Sequence, residues 1–439
     1  MIGLIRGMTT LNKKLLRDLW RVKGQALAIV LVIGAGIALL VMSRGMIASL
    51  DTTMRTYYAR YQFADVFAPA TRAPNRILAD LRAIDGVAAA EGRIVGGGLV
   101  DLPAETAPIS ARFVSIGVDA ARRLNDVSLA RGAMPSATRA GEALVLQSFA
   151  DAHGLGPGDE IAVTMHGSQR VFRIAGTANS PEFIYTIPPG DFASDPARYA
   201  VLWISREEME AAYDLDGAFN EAALTLSHGA NEQSVIAAID RLLAPYGGTG
   251  AYSRDDQISN KYLTEELKQL GVMDRTMTPL FLAVSAFLLN VVMTRLVQTE
   301  RTQIGLLKSF GFSNAAIALH YLMFALVIAL IGTVIGWIGG MQLGRMITEI
   351  YQRYFNFPFL IFVPEFRTLN AALLLSGLTA ALGGMIAVAA AARLTPAAAM
   401  RPPAPPRYSR GGLVGAEMFR VDQPTRMFLR RIVRQPVRA

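Results

Sequence analysis

Few residues of this sequence have the types and spacings that catalysis or metal binding needs. The histidines are scattered without the short intervals typical of metal ligands, and cysteine is absent, which excludes disulfides and thiol chemistry. The histidines are His153, His166, His228 and His320. The sequence also lacks the G-x-x-x-x-G-K-[ST] loop that a chain needs to cradle nucleotide phosphates by itself. We therefore expect no catalytic residues, no metal site and no cofactor.

One spacing does stand out, a series of glycines four residues apart in an apolar segment. They are Gly332, Gly336, Gly340 and Gly344. Residues four apart lie on one face of a helix, and helices in lipid associate through faces of small residues where the backbones approach closely. The spacing predicts tight packing against another helix, either in this chain or in a second one.

The glycines belong to one of four uncharged segments that are long enough to cross a bilayer. The predicted spans are residues 24–43, 276–294, 318–344 and 368–392. A proton- or ion-coupled carrier usually needs an ionisable group at mid-membrane, so the absence of Asp, Glu, Lys and Arg from all four spans disfavours that mechanism. The first segment has the basic start of a signal peptide, but its length favours a span. We predict a polytopic α-helical membrane protein with four transmembrane helices.

Lys and Arg are concentrated beside the spans on one side. They occur in residues 1–23, predicted to form an amphipathic basic helix, in the loop 295–317, and in the Pro/Arg-rich segment 393–439. Basic residues in short segments are retained on the cytoplasmic side, so both ends of this chain are predicted to be cytoplasmic. The net charge of +8 is then a consequence of topology, and no nucleic-acid partner is expected.

Residues 44–275 are predicted to form a large mixed α/β domain outside the cytoplasm, big enough for two subdomains. A second, short outer loop is predicted at 345–367. Within the domain, the predicted helices are 75–84, 206–213 and 232–243, the predicted strands are 94–102, 199–204 and 222–226, and a hairpin is predicted at 161–174. Ser205 is the expected cap of the second helix. All these elements are interpreted as structural.

Apolar stripes mark the two segments that join this domain to the membrane. They consist of Met46, Leu50 and Met54 after the first span and of Leu263, Leu267 and Leu270 before the second. The intervals are helical, so the two helices are predicted to leave the membrane as a packed stalk. The stripes leave open whether this stalk transmits motion or only spaces the domain from the lipid.

The loop between the second and third spans contains the sequence Ile304-Gly-Leu-Leu-Lys-Ser-Phe-Gly-Phe-Ser313. It predicts a short amphipathic helix that Gly311 ends in a left-handed conformation, with Ser313 capping the next helix. The same pattern is typical of a helix that lies in the membrane interface.

Three further features accompany this loop: the order of the spans, the turn Leu155-Gly-Pro-Gly-Asp159, and the segment after the fourth span, Arg393-Leu-Thr-Pro-Ala-Ala-Ala-Met-Arg-Pro402. With these features, the chain resembles the FtsX/MacB-type ABC transporter permease family over most of its length. The resemblance implies that the loop is a coupling helix that docks on a separate cytoplasmic ATPase. The residues to which it assigns this role are Ile304, Gly305, Leu307, Lys308 and Gly311. Where many members have a charged residue near the start of the loop, this chain has Thr302 and Gln303.

The resemblance also implies a function. It suggests a permease subunit of the bacterial inner membrane that couples ATP hydrolysis in a partner to movements of the periplasmic domain, for export or extraction of a lipid, lipoprotein or peptide. Expected partners are the ATPase, a second permease half or copy, membrane lipid and a periplasmic protein. A membrane scaffold that regulates a cell-envelope enzyme is an alternative, and a membrane-anchored enzyme is a third hypothesis.

The C-terminal segment 428–439 repeats part of the segment 15–26. Leu16, Arg17, Arg21 and Ala26 recur in it at a constant offset of 413 residues. This similarity predicts the first half of a duplicated permease, with chance similarity of two basic helices beside a membrane as the alternative.

Overall fold

The structure, a computed structural model, describes residues 10–393 and 395, with gaps at 104, 106, 118–123, 137–138, 189 and 191–193. In this part of the chain, four helices are long and apolar enough to cross a membrane, and a large α/β domain lies between the first and the second of them. The predicted fold class is thereby confirmed. The repeat predicted at 428–439 lies outside the described residues.

The helices form the membrane part and also pack on the two sheets of the α/β domain. They are α1 (Thr10–Arg21), α2 (Lys23–Arg60), α3 (Ile77–Ala83), α4 (Gln147–His153), α5 (Arg206–Tyr213), α6 (Glu232–Leu243), α7 (Ile258–Thr299), α8 (Arg301–Ser309), α9 (Asn314–Tyr354) and α10 (Phe366–Arg393). In the bundle, α2 packs against α7 and α9, and α10 packs against the same two helices. Both α2 and α7 continue as single helices well beyond the predicted spans, as the stalk prediction requires.

The strands form two sheets within the described residues. They are β1 (Val66–Pro74), β2 (Val87–Arg93), β3 (Val95–Asp101), β4 (Ile109–Ile116), β5 (Ser128–Gly132), β6 (Glu142–Leu146), β7 (Glu160–Met165), β8 (Ser168–Asn179), β9 (Tyr199–Ser205), β10 (Ala218–Leu226) and β11 (Tyr252–Ser253). The smaller sheet has the order β11-β1-β10-β2 and is antiparallel. Its apolar core also contains residues of α3 and α6.

The larger sheet closes on itself. Its order is β5-β8-β6-β9-β4-β3-β7, and β7 pairs with β8 to complete a barrel. Closure leaves fewer unpaired strand edges, which are the usual sites of aggregation. The apolar core built on this sheet contains large side chains such as Phe113 and Phe172, together with Phe149 of α4. The domain therefore has two separate cores, as the predicted pair of subdomains requires.

Several local predictions agree with the structure to the residue. α5 and α6 have the predicted bounds, and the Ser205 hydroxyl accepts from the Glu208 N–H. The hairpin turn is shorter than predicted, because His166 and Gly167 both have positive φ and make a two-residue turn. Nearer the C-terminus, α9 continues past the predicted span end at Gly344 to Tyr354, so the first part of the predicted outer loop 345–367 is helical.

Candidate functional site

The loop that resembles a coupling helix is a helix in the structure, α8. A single residue, Glu300, separates it from the end of α7. Gly311 ends it with φ of +91°, a conformation that glycine adopts without strain. The Ser313 hydroxyl accepts from the Ala316 N–H at 3.1 Å and caps α9. These features give α8 a fixed position at one end of the bundle. We call this end of the bundle the α8 end.

The predicted coupling residues divide between the two sides of α8. Ile304 and Gly305 are buried against the bundle, and Leu307 packs against the same apolar core. The Lys308 ammonium donates to the Ala392 carbonyl at the end of α10, over 2.8 Å. Gly311 is exposed. Four of the five residues therefore hold α8 in place.

The outward side of α8 carries two large apolar side chains that the sequence analysis did not assign. Leu306 is 51% exposed and Phe310 is 75% exposed. They are four residues apart and so share one face of the helix. Thr302 and Gln303 are exposed as well. The outward surface of α8 is therefore an apolar patch of Leu306 and Phe310 beside two neutral polar residues.

A buried carboxylate anchors the start of α8. Glu300 has no exposed surface, yet Lys14 donates to its Oε2 over 2.5 Å and the Tyr321 hydroxyl donates to the same atom over 2.9 Å. Arg21 lies 3.3 Å from its Oε1. The charge of Glu300 is thus compensated from α1, while α9 adds a hydrogen bond. This cluster could not be predicted from the sequence, in which Glu300 is an ordinary acidic residue of a loop.

Asp18 extends the cluster along α1. It is almost fully buried, accepts a hydrogen bond from Lys14, and lies 3.9 Å from the His320 ring. Burial opposes the charged form, but the nearby His320 ring and the hydrogen bond and charge of Lys14 outweigh it and lower the pKa of Asp18. The carboxylate stays charged, and α1 is held to α9 by polar contacts as well as by apolar ones.

The glycine series of α9 lies against α2 of the same chain. A Cβ added at Gly336 would lie 2.6 Å from the Gly34 carbonyl oxygen, and one at Gly340 would lie 2.7 Å from the Ala38 carbonyl oxygen. At Gly332 the nearest atom would be Ile33 Cβ, at 2.9 Å. The two backbones are therefore too close for any side chain between them.

The last glycine of the series meets a different neighbour. The Phe362 ring, from the loop between α9 and α10, occupies the space beside both Gly344 and Gly45. A side chain at either glycine would overlap the ring. The same loop is fixed to α2 by the Val363 N–H, which donates to the Ser49 hydroxyl at 3.0 Å. This loop is part of the stalk.

The stalk itself is an apolar cluster between α2 and α7. Met46, Leu50 and Leu263 are fully buried in it and Leu270 nearly so. The other two predicted stalk residues, Met54 and Leu267, are half-buried and pack against this cluster. Contributions from the loop after α9 complete it; these are Phe355, Phe357, Leu360 and Phe362. The stalk thus has three components where the sequence predicted two.

One segment of the α/β domain, residues 180–186, receives all three stalk components. Asn356, in the loop after α9, donates its N–H to the Ile184 carbonyl over 2.7 Å and its Nδ2 to the Phe183 carbonyl over 2.9 Å. At the start of α7, Gln257 Nε2 donates to the Glu182 carbonyl over 2.8 Å. Ile184 packs in the same apolar cluster as Met46 and Leu50 of α2. This segment is the joint between the domain and the stalk.

A buried ion triad ties the joint to the smaller sheet. Arg93, the last residue of β2, forms ion pairs with Glu182 of the joint and Glu221 of β10. Burial would raise the pKa of Glu182, but the charge and hydrogen bonds of Arg93 outweigh it and lower the pKa. Burial also opposes the charge of Arg93, whose pKa the two carboxylates nevertheless raise. Charged contacts therefore join the segment 180–186 to the smaller sheet of the domain.

The residues that could do chemistry stay apart. Among the described residues, His, Asp and Glu form no group suited to a metal ion. His153 contacts the Ala197 carbonyl at 2.8 Å, and His320 lies beside Asp18. Both act in local packing.

Two family models match the chain and together take in both of its parts. The model described as MacB-like periplasmic core domain matches residues 26–242, and the model described as FtsX-like permease C-terminal matches residues 276–396. The first covers the α/β domain with its leading helix, and the second covers the remaining three helices of the bundle. No curated protein matches the chain.

Three solved structures are similar to the chain at low identity. One is the extracellular domain of the noncanonic ABC-type transporter YknZ from Gram-positive bacteria, with 9% identity over 43% of this chain and 98% of that one, at a TM-score of 0.30. The periplasmic region of MacB from Actinobacillus actinomycetemcomitans has 10% identity over 49% and 97%, at 0.30. A domain of a putative permease from Porphyromonas gingivalis has 14% identity over 43% and 86%, at 0.26. Such TM-scores support no argument about a site.

Proposed function

This chain belongs to the FtsX/MacB-type family of ABC transporter permeases, and on that premise we propose that it is the transmembrane subunit of a transporter whose ATP is hydrolysed by a separate subunit bound to α8. Members of this family are transporter components and not catalysts themselves. The chain is accordingly a multi-pass membrane protein.

The observation that carries the proposal is the exposed apolar patch on α8. Leu306 and Phe310 lie in a connection outside the spans, on a helix whose other side is fixed by burial and by Glu300. Large apolar side chains on a rigid support are typical of the central residues of a protein contact. The ATPase would therefore bind the Leu306 side of α8, while Ile304 and Gly305 keep the helix in register with the bundle.

The same proposal assigns the two sides of the membrane. The excess of Lys and Arg beside α1, α8 and the end of α10 supports a cytoplasmic location for the α8 end, in the inner membrane of a bacterium. The α/β domain is then periplasmic. A cytoplasmic ATPase and a periplasmic domain would act on each other through the bundle alone.

Transmission through the stalk is the proposed link between the two ends. Force at α8 reaches α7 through Glu300 and reaches α9 through Tyr321, and both helices extend to the joint at residues 180–186. The proposed cargo is a lipid, lipoprotein or peptide that the moving domain exports or extracts. The proposed further partners are a second permease half or copy and a periplasmic protein. Some of the polar groups buried within the spans are small, for example Thr333 and Ser376, which hydrogen-bond to each other over 2.7 Å.

The experiment is an exchange of the α8 patch for charge. Leu306→Asp and Phe310→Asp should each weaken binding of the ATPase by at least about 30-fold, since loss of a central apolar contact costs about 2 kcal/mol or more. The amount of ATPase that co-purifies with the full chain and its ATP turnover are measured. Val171→Asp, at a 57% exposed apolar position of the α/β domain, is the matched control. Unchanged binding in both α8 variants would assign the helix to the membrane interface.

A further inference from the structure

A groove with two arginines opens at the α8 end of the bundle, between the start of α2 and the end of α7. Its volume is about 400 Å³, and Arg21 and Arg295 are among the residues that line it. The other polar lining groups are neutral, Gln25 and Thr299, and no carboxylate lines it. The groove therefore has a positive potential that would attract an anion.

The two arginines differ in how far they are already used. Arg21 is 49% exposed and lies 3.3 Å from the buried Glu300 Oε1. Arg295 is exposed, and within the described residues no ion pair or hydrogen bond of its guanidinium is found. Thr299 donates its hydroxyl to the Arg295 carbonyl over 2.8 Å, which leaves the hydroxyl oxygen able to accept only. One guanidinium is free to bind a ligand, and the other is shared with Glu300.

The level of the groove in the membrane narrows the class of ligand. The uncharged segment of α2 begins at Gly24, and that of α7 ends just before Arg295. The groove therefore lies where lipid headgroups begin. Trp20, next to Arg21, is 73% exposed, which is typical of an aromatic side chain at a membrane interface.

From the groove toward the middle of the membrane, the surface of both helices changes from basic to apolar. On α2, Leu27 and Leu31 follow Gly24 at helical intervals and are 56% and 55% exposed. On α7, Val291 lies four residues before Arg295 and is 49% exposed, with Phe287 one turn further. A ligand that fits both surfaces carries an anionic head and an alkyl tail.

We propose that this groove is a binding site for one anionic phospholipid, with the phosphate between Arg21 and Arg295 and the acyl chains along the exposed apolar strips of α2 and α7. Under the topology proposed above, the lipid belongs to the cytoplasmic leaflet. The phosphate shares Arg21 with Glu300, so occupancy changes the charge balance at the first residue before α8. That consequence rests on the proposed function of α8, whereas lipid binding itself does not.

The test is a lipid titration of the purified full chain in detergent, followed by native mass spectrometry. Dioleoylphosphatidylglycerol should bind at one site more tightly than dioleoylphosphatidylcholine. Each basic residue near an anionic surface contributes about five-fold, so Arg295→Gln should weaken this site about five-fold and the Arg21→Gln/Arg295→Gln pair about 25-fold. Arg295→Gln keeps the Glu300 contacts intact, which separates loss of the ligand site from misfolding at α1.

Two controls make the result specific. Arg275→Gln removes an exposed arginine beside the opposite end of the uncharged segment of α7 and should leave the titration unchanged. Inorganic phosphate at the same concentration should not displace the lipid, because it cannot use the apolar strips. Equal binding of the two lipids, an unaltered titration in Arg295→Gln, or displacement by phosphate would each overturn the proposal. If Arg295→Gln leaves lipid binding unaltered but the ATPase no longer co-purifies, the groove is assigned to that protein instead.

Discussion

Asn356 donates its backbone N–H to the Ile184 carbonyl over 2.7 Å, and this bond joins the loop between α9 and α10 to the joint of the α/β domain. The side chain of Asn356 adds a second bond, to the Phe183 carbonyl. α9 is thereby connected to the domain directly, so a motion of α9 does not have to pass through α2 or α7. The two predicted stalk helices are only part of the connection.

The side-chain bond of Asn356 predicts a local change. Asn356→Ala should increase amide hydrogen exchange in residues 180–186 by about five-fold, because a hydrogen bond contributes about 1 kcal/mol net. Exchange elsewhere in the barrel should not change. Asn314→Ala, at an exposed position at the other end of α9, is the control. Equal exchange in the two variants would mean that the loop contact does not stabilise the joint.

The close contact of α2 and α9 predicts opposite effects for the same substitution at two glycines. Gly336→Ala should destabilise the bundle by about 1–3 kcal/mol, because the new Cβ would lie 2.6 Å from the Gly34 carbonyl oxygen. Gly377→Ala on α10 meets no atom within 4 Å and should be neutral or stabilising by up to about 1 kcal/mol, since alanine favours a helix. Thermal unfolding in detergent measures both. A stable Gly336→Ala variant would show that the two helices can separate without cost.

The ion triad at the joint predicts a dependence on pH. The pKa of Glu182 is lowered in the fold, so its contribution is fully present above the unfolded value of about 4.3 and is lost as the pH falls through the folded value. The contribution of Glu182 to the stability of the α/β domain should therefore be constant from pH 7 to 5 and decrease below about pH 4.

Glu182→Gln separates this effect from other acid groups. Removing one partner of a buried ion pair costs about 3–5 kcal/mol, and the acid-dependent loss should become smaller in the variant. Fluorescence of the buried Trp203, whose ring lies 5.8 Å from that of Phe183, follows the unfolding. An identical acid profile in wild type and variant would show that Glu182 does not contribute to it.

The parts of the fold that the sequence predicted well are those set by neighbours in the chain. α5 has a serine cap and an apolar period within ten residues, and its bounds agreed. The glycine series of α9 likewise showed the face of close approach, although not the partner helix. Closure of the barrel depends on the pairing of β3 with β7 and of β4 with β9, which residues far apart in the chain determine together.

The candidate site was less predictable for the same reason. Glu300 becomes a buried anchor only because Lys14 and Tyr321 converge on it in the fold. The exposed face of α8 could have been inferred from the four-residue interval of Leu306 and Phe310, but not which side the bundle covers. Asn356 carries no sequence signal at all.

The central claim is that the stalk transmits motion between α8 and the α/β domain, and a reversible lock on the stalk tests it most directly. Leu50 of α2 and Leu263 of α7 are both fully buried in one cluster, and the chain has no cysteine of its own. Leu50→Cys is combined in turn with Leu263→Cys, Leu267→Cys and Leu270→Cys, since a disulfide needs Cα atoms within about 7 Å. We expect one pairing to cross-link and to suppress ATP turnover of the complex, with reduction restoring it and each single cysteine having no effect. A cross-linked stalk that turns over ATP at the rate of the reduced protein would contradict the account and make the stalk a spacer.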